Sequence, residues 1–221
     1  MARAEYSPDR RYRGRPQLRP DDETRKIIYE AARHEFAANG FAATSTETVA
    51  RRAGVSTKTL YRIVPNKAAL FEGVVSDRLD SFLSDFSLHV AEGADIETGL
   101  NAALMAYADL ALDPDVVALQ RIILQEAGQF PDLAATFYRN GIARTAAALS
   151  SWLRLQVKRG LIDLDNVDEA AGFLIGMVGS APQRAAIYGG APLPSRARIR
   201  ERVRKCVRLF LRGCEANGRA Q

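Results

Sequence analysis

Gly54 separates two short stretches whose apolar residues recur at helical spacing, and this break limits the possible folds more than any other feature of the chain. Upstream of it, Thr44-Ser45-Thr46-Glu47 has the T-x-x-E form of a capping box, which starts a helix. Val49, Ala50 and Ala53 then fall on one face, with Arg51 and Arg52 pointing outward. Gly54 supplies the left-handed residue that ends this helix, and Val55 can bury its side chain in the angle that follows. Ser56 is a good N-cap for a second helix whose first turn is Thr57, Lys58 and Thr59. Leu60 and Ile63 face inward, Pro65 stops the helix, and Asn66 caps a third beginning near Lys67. Short helix, glycine turn, short helix predicts a helix-turn-helix unit.

The residue types on this frame suit double-stranded DNA. The amino end of the second helix is the part that reaches base edges when such a helix enters the major groove. Lys58 can donate to guanine O6 and N7, and Ser56, Thr57 and Thr59, with Thr44 and Thr46 before them, can bond to bases or touch a thymine methyl. Tyr61 and Lys67 suit phosphates, which position a protein without reading sequence. The bland alternative is a small core helix pair whose polar residues merely face water. Ahead of the unit lies a basic arm, residues 1–20, in which six arginines stand against Glu5 and Asp9 for a net +4. Arg13 and Arg15 flank Gly14 and fit a narrow minor groove, while a solvated tail explains the same charges. Both readings of the arm stay open.

Residues 23–75 resemble the DNA-binding domain of TetR-type transcriptional regulators. The resemblance is carried by Thr24, Ile28, Ala31, Ala32, Phe36 and Asn39-Gly40-Phe41, then by Thr44 to Glu47. It continues through Ala53-Gly54-Val55-Ser56, Thr59-Leu60-Tyr61 and Asn66-Lys67 with Leu70-Phe71. Ile63 and Val64 depart from the aromatic or histidine followed by phenylalanine that is usual there, and Ala68 replaces a common acidic residue. The expected organisation is all-α: the arm, a three-helix helix-turn-helix domain over 21–75, and a helical ligand-binding and dimerisation domain over 76–221.

Beyond Phe71 every stretch reads as helix. Phe71, Val75, Leu79, Phe82, Phe86 and Val90 mark a long helix leaving the head, broken by Ala91 to Asp95. Ile96 to Ala111 makes the next, and Asp115 to Ala127 is apolar on nearly all sides, which predicts a central position. A fourth runs from Pro131 to Lys158 and stops at Gly160; Asp165 to Tyr188 and Ser195 to Cys214 make the last two. On the penultimate helix Gly172, Gly176 and Gly179 line one face, and the final helix carries a narrow stripe that includes Val203, Val207 and Phe210, rimmed by arginines. These six are expected at a two-fold homodimer interface, with intrachain packing as the alternative. The resemblance implies the same surface, and a dimer presents two recognition helices to a palindromic operator about one DNA turn apart.

Residues 113–141 resemble the C-terminal domain of the AefR-like branch of these regulators. That resemblance implies a pocket in which an unidentified small-molecule effector biases the spacing of the DNA-binding heads, usually to relieve repression. Its expected lining is Phe86, Leu104, Tyr107, Ile123, Glu126, Phe137, Trp152, Phe173 and Met177, although apolar residues at helical spacing are more often simply core. Glu126 stands out, because a carboxylate on an apolar helix is costly unless a ligand or an arginine meets it.

No catalytic residue, cofactor or metal site is expected. His34 and His89 are the only histidines and stand apart; no phosphate loop, H-E-x-x-H, C-x-x-C or nucleophile motif occurs. A helical adaptor, or a DNA-processing enzyme with a helix-turn-helix head, remains the alternative. Cys206 and Cys214 are eight residues apart on one helix, too far to bridge to each other, and read as free thiols of a cytoplasmic protein, with an intersubunit disulfide or redox sensor as the alternative. The Arg-rich start lacks the apolar core of a signal peptide, and no apolar run reaches the roughly 20 residues of a membrane span.

Overall fold

The computed structural model describes residues 19–89 and 95–213, the side chains of 85–89 excepted. Arg13, Arg15 and Cys214 therefore lie outside the described residues, and so does the side chain of Phe86. The described residues form eleven α-helices and two π-helical turns, with no strand. The helices are α1 (Asp21–Ala43), α2 (Thr46–Ala53), α3 (Thr57–Ile63), α4 (Lys67–His89), α5 (Ile96–Ala111) and α6 (Pro114–Glu126). They continue as α7 (Pro131–Phe137), α8 (Arg144–Lys158), α9 (Val167–Ile175), α10 (Ala181–Ile187) and α11 (Arg196–Gly213). The π turns, Tyr138–Ala143 and Gly176–Ser180, join α7 to α8 and α9 to α10, so the two long helices read from the periodicity are continuous but locally widened.

Short polar side chains set the helix starts. Ser45, not Thr44, is the N-cap of α2, its Oγ accepting from Thr48 N at 3.1 Å. Asn66 Oδ1 accepts from Ala69 N at the start of α4, and Asp95, Asp113 and Asn166 do the same for α5, α6 and α9. Stops follow from glycine: Gly54 has φ 66°, and Val55 N returns to Ala50 O at 3.0 Å behind it. Inside α1, Gly40 takes φ 80° and kinks the chain between Asn39 and Phe41.

Two hydrophobic cores result. The first joins Ile28 and Phe36 of α1, Val49 of α2, Leu60 of α3 and Leu70, Phe71 and Val74 of α4. It is closed by Leu119, Ile122 and Ile123 of α6 and Leu133 of α7, so the head is sealed by helices from the other half of the chain. Phe41 lies in an aromatic cluster there, its ring 5.6 Å from Phe36, 5.8 Å from Phe71 and 5.2 Å from Phe130. The second core gathers Leu79 and Phe82 of α4, Leu100 and Leu104 of α5, Trp152 and Leu153 of α8, Leu174 of α9 and Val203, Val207 and Phe210 of α11. Helix α4 runs through both. Helix α6 lies against α1 and is tied at each end: Arg33 of α1 is paired with Asp115, and Glu126 accepts from Phe41 N and Ala42 N, both at 3.0 Å.

Candidate nucleic-acid interface and interior cavity

The outer surface of α3 is built by its cap. Ser56 Oγ accepts from Thr59 N at 3.1 Å, and its hydroxyl lies 2.8 Å from that of Thr59. Leu60, fully buried, anchors the opposite face. Ser56, Thr57 and Lys58 are left exposed, with Thr59 half-buried behind them. Lys58 has no hydrogen-bond or ion-pair partner among the described residues, whereas Arg52 is bound to Glu35 and Arg62 to both oxygens of Asp21. Arg51, exposed on the last turn of α2, is likewise unpaired among the described residues; sequence reasoning passed over it because only its charge distinguishes it.

Four residues expected to touch DNA are bonded within the protein. Thr44 is buried, its Oγ1 donating to Gly40 O at 2.7 Å and to Glu35 O at 3.1 Å, which fastens the end of α1. Thr46 is also buried, its hydroxyl 2.7 Å from that of Tyr61. Tyr61 stays 46% exposed, so its ring edge faces outward while its hydroxyl bridges α3 to α2. Lys67 departs furthest from its expected phosphate role. Its Nζ donates to Phe41 O at 2.8 Å and to Ala42 O and Thr44 O at 3.0 Å, and it sits 4.7 Å over the Phe41 ring. All three ammonium protons are engaged, and the residue works as a C-terminal clamp on α1.

A cavity of about 180 Å³ opens at the seam between the two cores. Val74, Val75, Arg78 and Leu79 of α4 form one wall and Val116, Leu119 and Gln120 of α6 another. Tyr107, Phe137, Thr145 and Gln183 also line it. Both π turns border it, one through Gly141 and Ile142 and the other through Ser180; such local widenings are frequent at functional sites. Among the described lining residues Arg78 carries the only formal charge. Its Nη2 donates to Asp113 Oδ2 at 2.5 Å, while its Nε is buried with no partner among the described residues. Asp113 Oδ1 in turn caps α6, accepting from Asp115 N at 2.9 Å and Val116 N at 3.3 Å. Burial pushes the Tyr107 phenol up to about 12, so it stays neutral and able to donate at ordinary pH.

Of the expected lining, Tyr107 and Phe137 face this cavity. Leu104 and Trp152 belong to the second core and Ile123 to the first, and Met177 is half-buried against the second core. Phe173 points the other way, 60% exposed. Glu126 lies outside this cavity's lining, and the amides released by the Gly40 kink, not an arginine, take both its oxygens. Arg78, Gln120, Ser180 and Gln183 escaped the sequence; a polar residue inside an otherwise apolar stripe, as Arg78 is between Val75 and Leu79, is the signal that could have found the first.

The expected association residues also divide. Gly172 and Gly176 are at the surface or near it. Gly179 faces inward, where an added Cβ would lie 2.5 Å from the Tyr107 hydroxyl. Val203, Val207 and Phe210 are buried within the chain's own second core, so they are packing residues. The large apolar side chains exposed on these elements are Phe173 of α9 and Leu209 of α11. Cys206 is buried and free, and burial pushes its thiol up, away from reactivity. Among the described residues no group of three or more His, Cys, Asp or Glu could hold a metal ion, and no helix is long and apolar enough to cross a membrane.

Comparison with known proteins agrees with this geometry. The family described as bacterial regulatory proteins, tetR family, matches residues 28–74, and the AefR-like transcriptional repressor C-terminal domain matches residues 98–214. A solved TetR-family transcriptional regulator from Mesorhizobium loti is 28% identical, with a TM-score of 0.76, covering 88% of this chain and 98% of that one. The flavonoid-responsive regulator FrrA is 29% identical, with a TM-score of 0.65, covering 89% and 100%. The fatty acid degradation regulator FadR from Bacillus halodurans shares the fold at 16% identity, with a TM-score of 0.68 over 83% and 94%. No curated protein matches the chain by sequence.

Proposed function

The chain belongs to the TetR family of bacterial transcriptional regulators, and from that premise we propose that it is a homodimeric repressor released from a palindromic operator by a small molecule held in the seam cavity. One observation carries this reading. The cavity's α6 wall is the same helix whose Arg33–Asp115 pair and Glu126 clamp hold α1 of the head. An occupant that moves α6 must move α1, and with it the orientation of α3. In this account Ser56, Thr57, Lys58 and Thr59 read base edges, and Tyr61 and Arg51 meet phosphates. Gly172, Phe173, Gly176 and Leu209 contribute to the subunit contact. Arg13 and Arg15 reach the adjacent minor groove from the arm. Two of the solved regulators named above match this chain over nearly their whole length, and the response of FrrA to flavonoids favours an organic effector here as well. A regulator of this kind works in the cytoplasm, where the operator is.

The test is a titration of the dimer against its own upstream DNA with and without a bound compound. Ligand and DNA then oppose each other by one coupling energy, of order 1–3 kcal/mol, readable from either side. Saturating ligand that leaves operator affinity unchanged would overturn the release mechanism while leaving sequence-specific binding intact.

A further inference from the structure

Resting on the reading of the seam cavity as the effector site, we propose that its ligand is a compact organic monoanion, of carboxylate type, whose acidic head is recognised by Arg78. Charge comes first. Arg78 is the only charged residue among the described residues that line the cavity, and the carboxylate paired with it, Asp113, stands outside that lining. Geometry comes second. Arg78 makes one hydrogen bond, to Asp113, and its neighbouring Nε–H is buried without an acceptor among the described residues. A guanidinium presents adjacent N–H groups in a fork that matches the two oxygens of a carboxylate. An orphaned buried donor is costly, and an acidic ligand satisfies it as the guanidinium turns from Asp113 into the cavity. Size comes third: about 180 Å³ lies below the roughly 300–1,000 Å³ of ordinary drug-sized pockets, which limits the body to one ring or a short alkyl chain. That body meets Val75, Leu79, Val116 and Phe137, while the neutral Tyr107 hydroxyl supplies a second donor.

The same contact gives the ligand a lever. Asp113 both holds Arg78 and caps α6. A ligand carboxylate competes with Asp113 for the guanidinium and loosens the junction of α4 with the amino end of α6, next to the Arg33–Asp115 tie to the head.

The experiment uses matched probes, 3-phenylpropionate and octanoate against their primary amides, with binding to the full-length protein followed by calorimetry and thermal shift. The acids should bind and the amides should bind at least roughly tenfold more weakly, as expected when a charge-assisted pair is lost. Arg78→Gln should abolish the preference for acid over amide. Asp113→Asn is the sharper variant, because asparagine still caps α6 while giving up its charge. It should bind the acids more tightly than the parent and the amides no differently. Amides equal to acids, or Asp113→Asn weakening the acids as Arg78→Gln does, would overturn the proposal. Ligand-free melting temperatures of both variants report whether they fold. Acids that bind without shifting operator affinity would leave the ligand class standing and sink the effector reading instead. Neutral compounds that release DNA while acids do not bind would do the reverse.

Discussion

Lys58 and Lys67 lie nine positions apart, carry the same ammonium, and have opposite surroundings. Lys58 projects from the first turn of α3 with no internal partner among the described residues, so its charge is available to an edge of guanine. Lys58→Ala should cost roughly 1–3 kcal/mol on the operator and much less on random DNA in a mobility-shift comparison; equal losses on both would remove its base-reading role. Lys67 instead donates to three carbonyls at the exit of α1. Lys67→Ala should therefore lower stability by about 2–3 kcal/mol, read as a lower denaturation midpoint, since three hydrogen bonds to a charged group are lost at the exit of α1. Tyr107 answers to pH. Its folded phenol titrates near 12, above the ordinary 10, so the folded state holds the proton more tightly. Stability is complete below pH 10 and falls as pH rises from 10 to 12, by about 3 kcal/mol, and Tyr107→Phe should flatten that part of the alkaline unfolding curve.

Elements show where local pattern ends and tertiary partnership begins. Ser56, Gly54, Asn66 and Pro65 act within a turn of themselves, and the helix-turn-helix could be read from them residue by residue. Lys67 and Glu126 bond to partners far along the chain, up to Phe41 for Glu126, and Thr44 folds back across the Gly40 kink onto α1; nothing local distinguishes them from a phosphate ligand, a pocket carboxylate or a surface cap. The glycine row of α9 failed for a related reason. A helical row assumes 3.6 residues per turn, and the π turn at Gly176–Ser180 rotates Gly179 away from Gly172 toward Tyr107. Cavity lining was least legible, because core and pocket residues share one periodicity and differ only in whether a neighbour fills the gap. The Glu126 clamp makes a prediction at this scale. Glu126→Gln keeps shape and one acceptor oxygen but gives up the second acceptor at the Phe41 and Ala42 amides. DNA affinity without ligand should change little, whereas the factor by which ligand weakens it should shrink, with mutational effects on coupling of about 0.5–2 kcal/mol. An unchanged factor would mean that α6 does not carry the signal through that end.

At the scale of the molecule, the two cores meet around one cavity, while α9 exposes Phe173 and α11 exposes Leu209, where a lone chain gains nothing from them. Their exposure, beside Gly172 with open space above it, fits a self-complementary contact of α9 and α11 between two copies. In the proposed dimer, operator recognition depends on that contact because each α3 reads only a half-site. Replacing both Phe173 and Leu209 with Asp places charge in the proposed contact without touching either core. Sedimentation should then give a monomer, and the helical circular dichroism of the protein should persist. The monomer should keep a weak, salt-dependent affinity for any duplex and lose the steep preference for a two-fold site, since tethering two heads supplies that preference through effective concentration. A double variant that still sediments as a dimer would move the subunit contact to another face, and a folded monomer that binds the operator as tightly as the parent would mean that one head suffices.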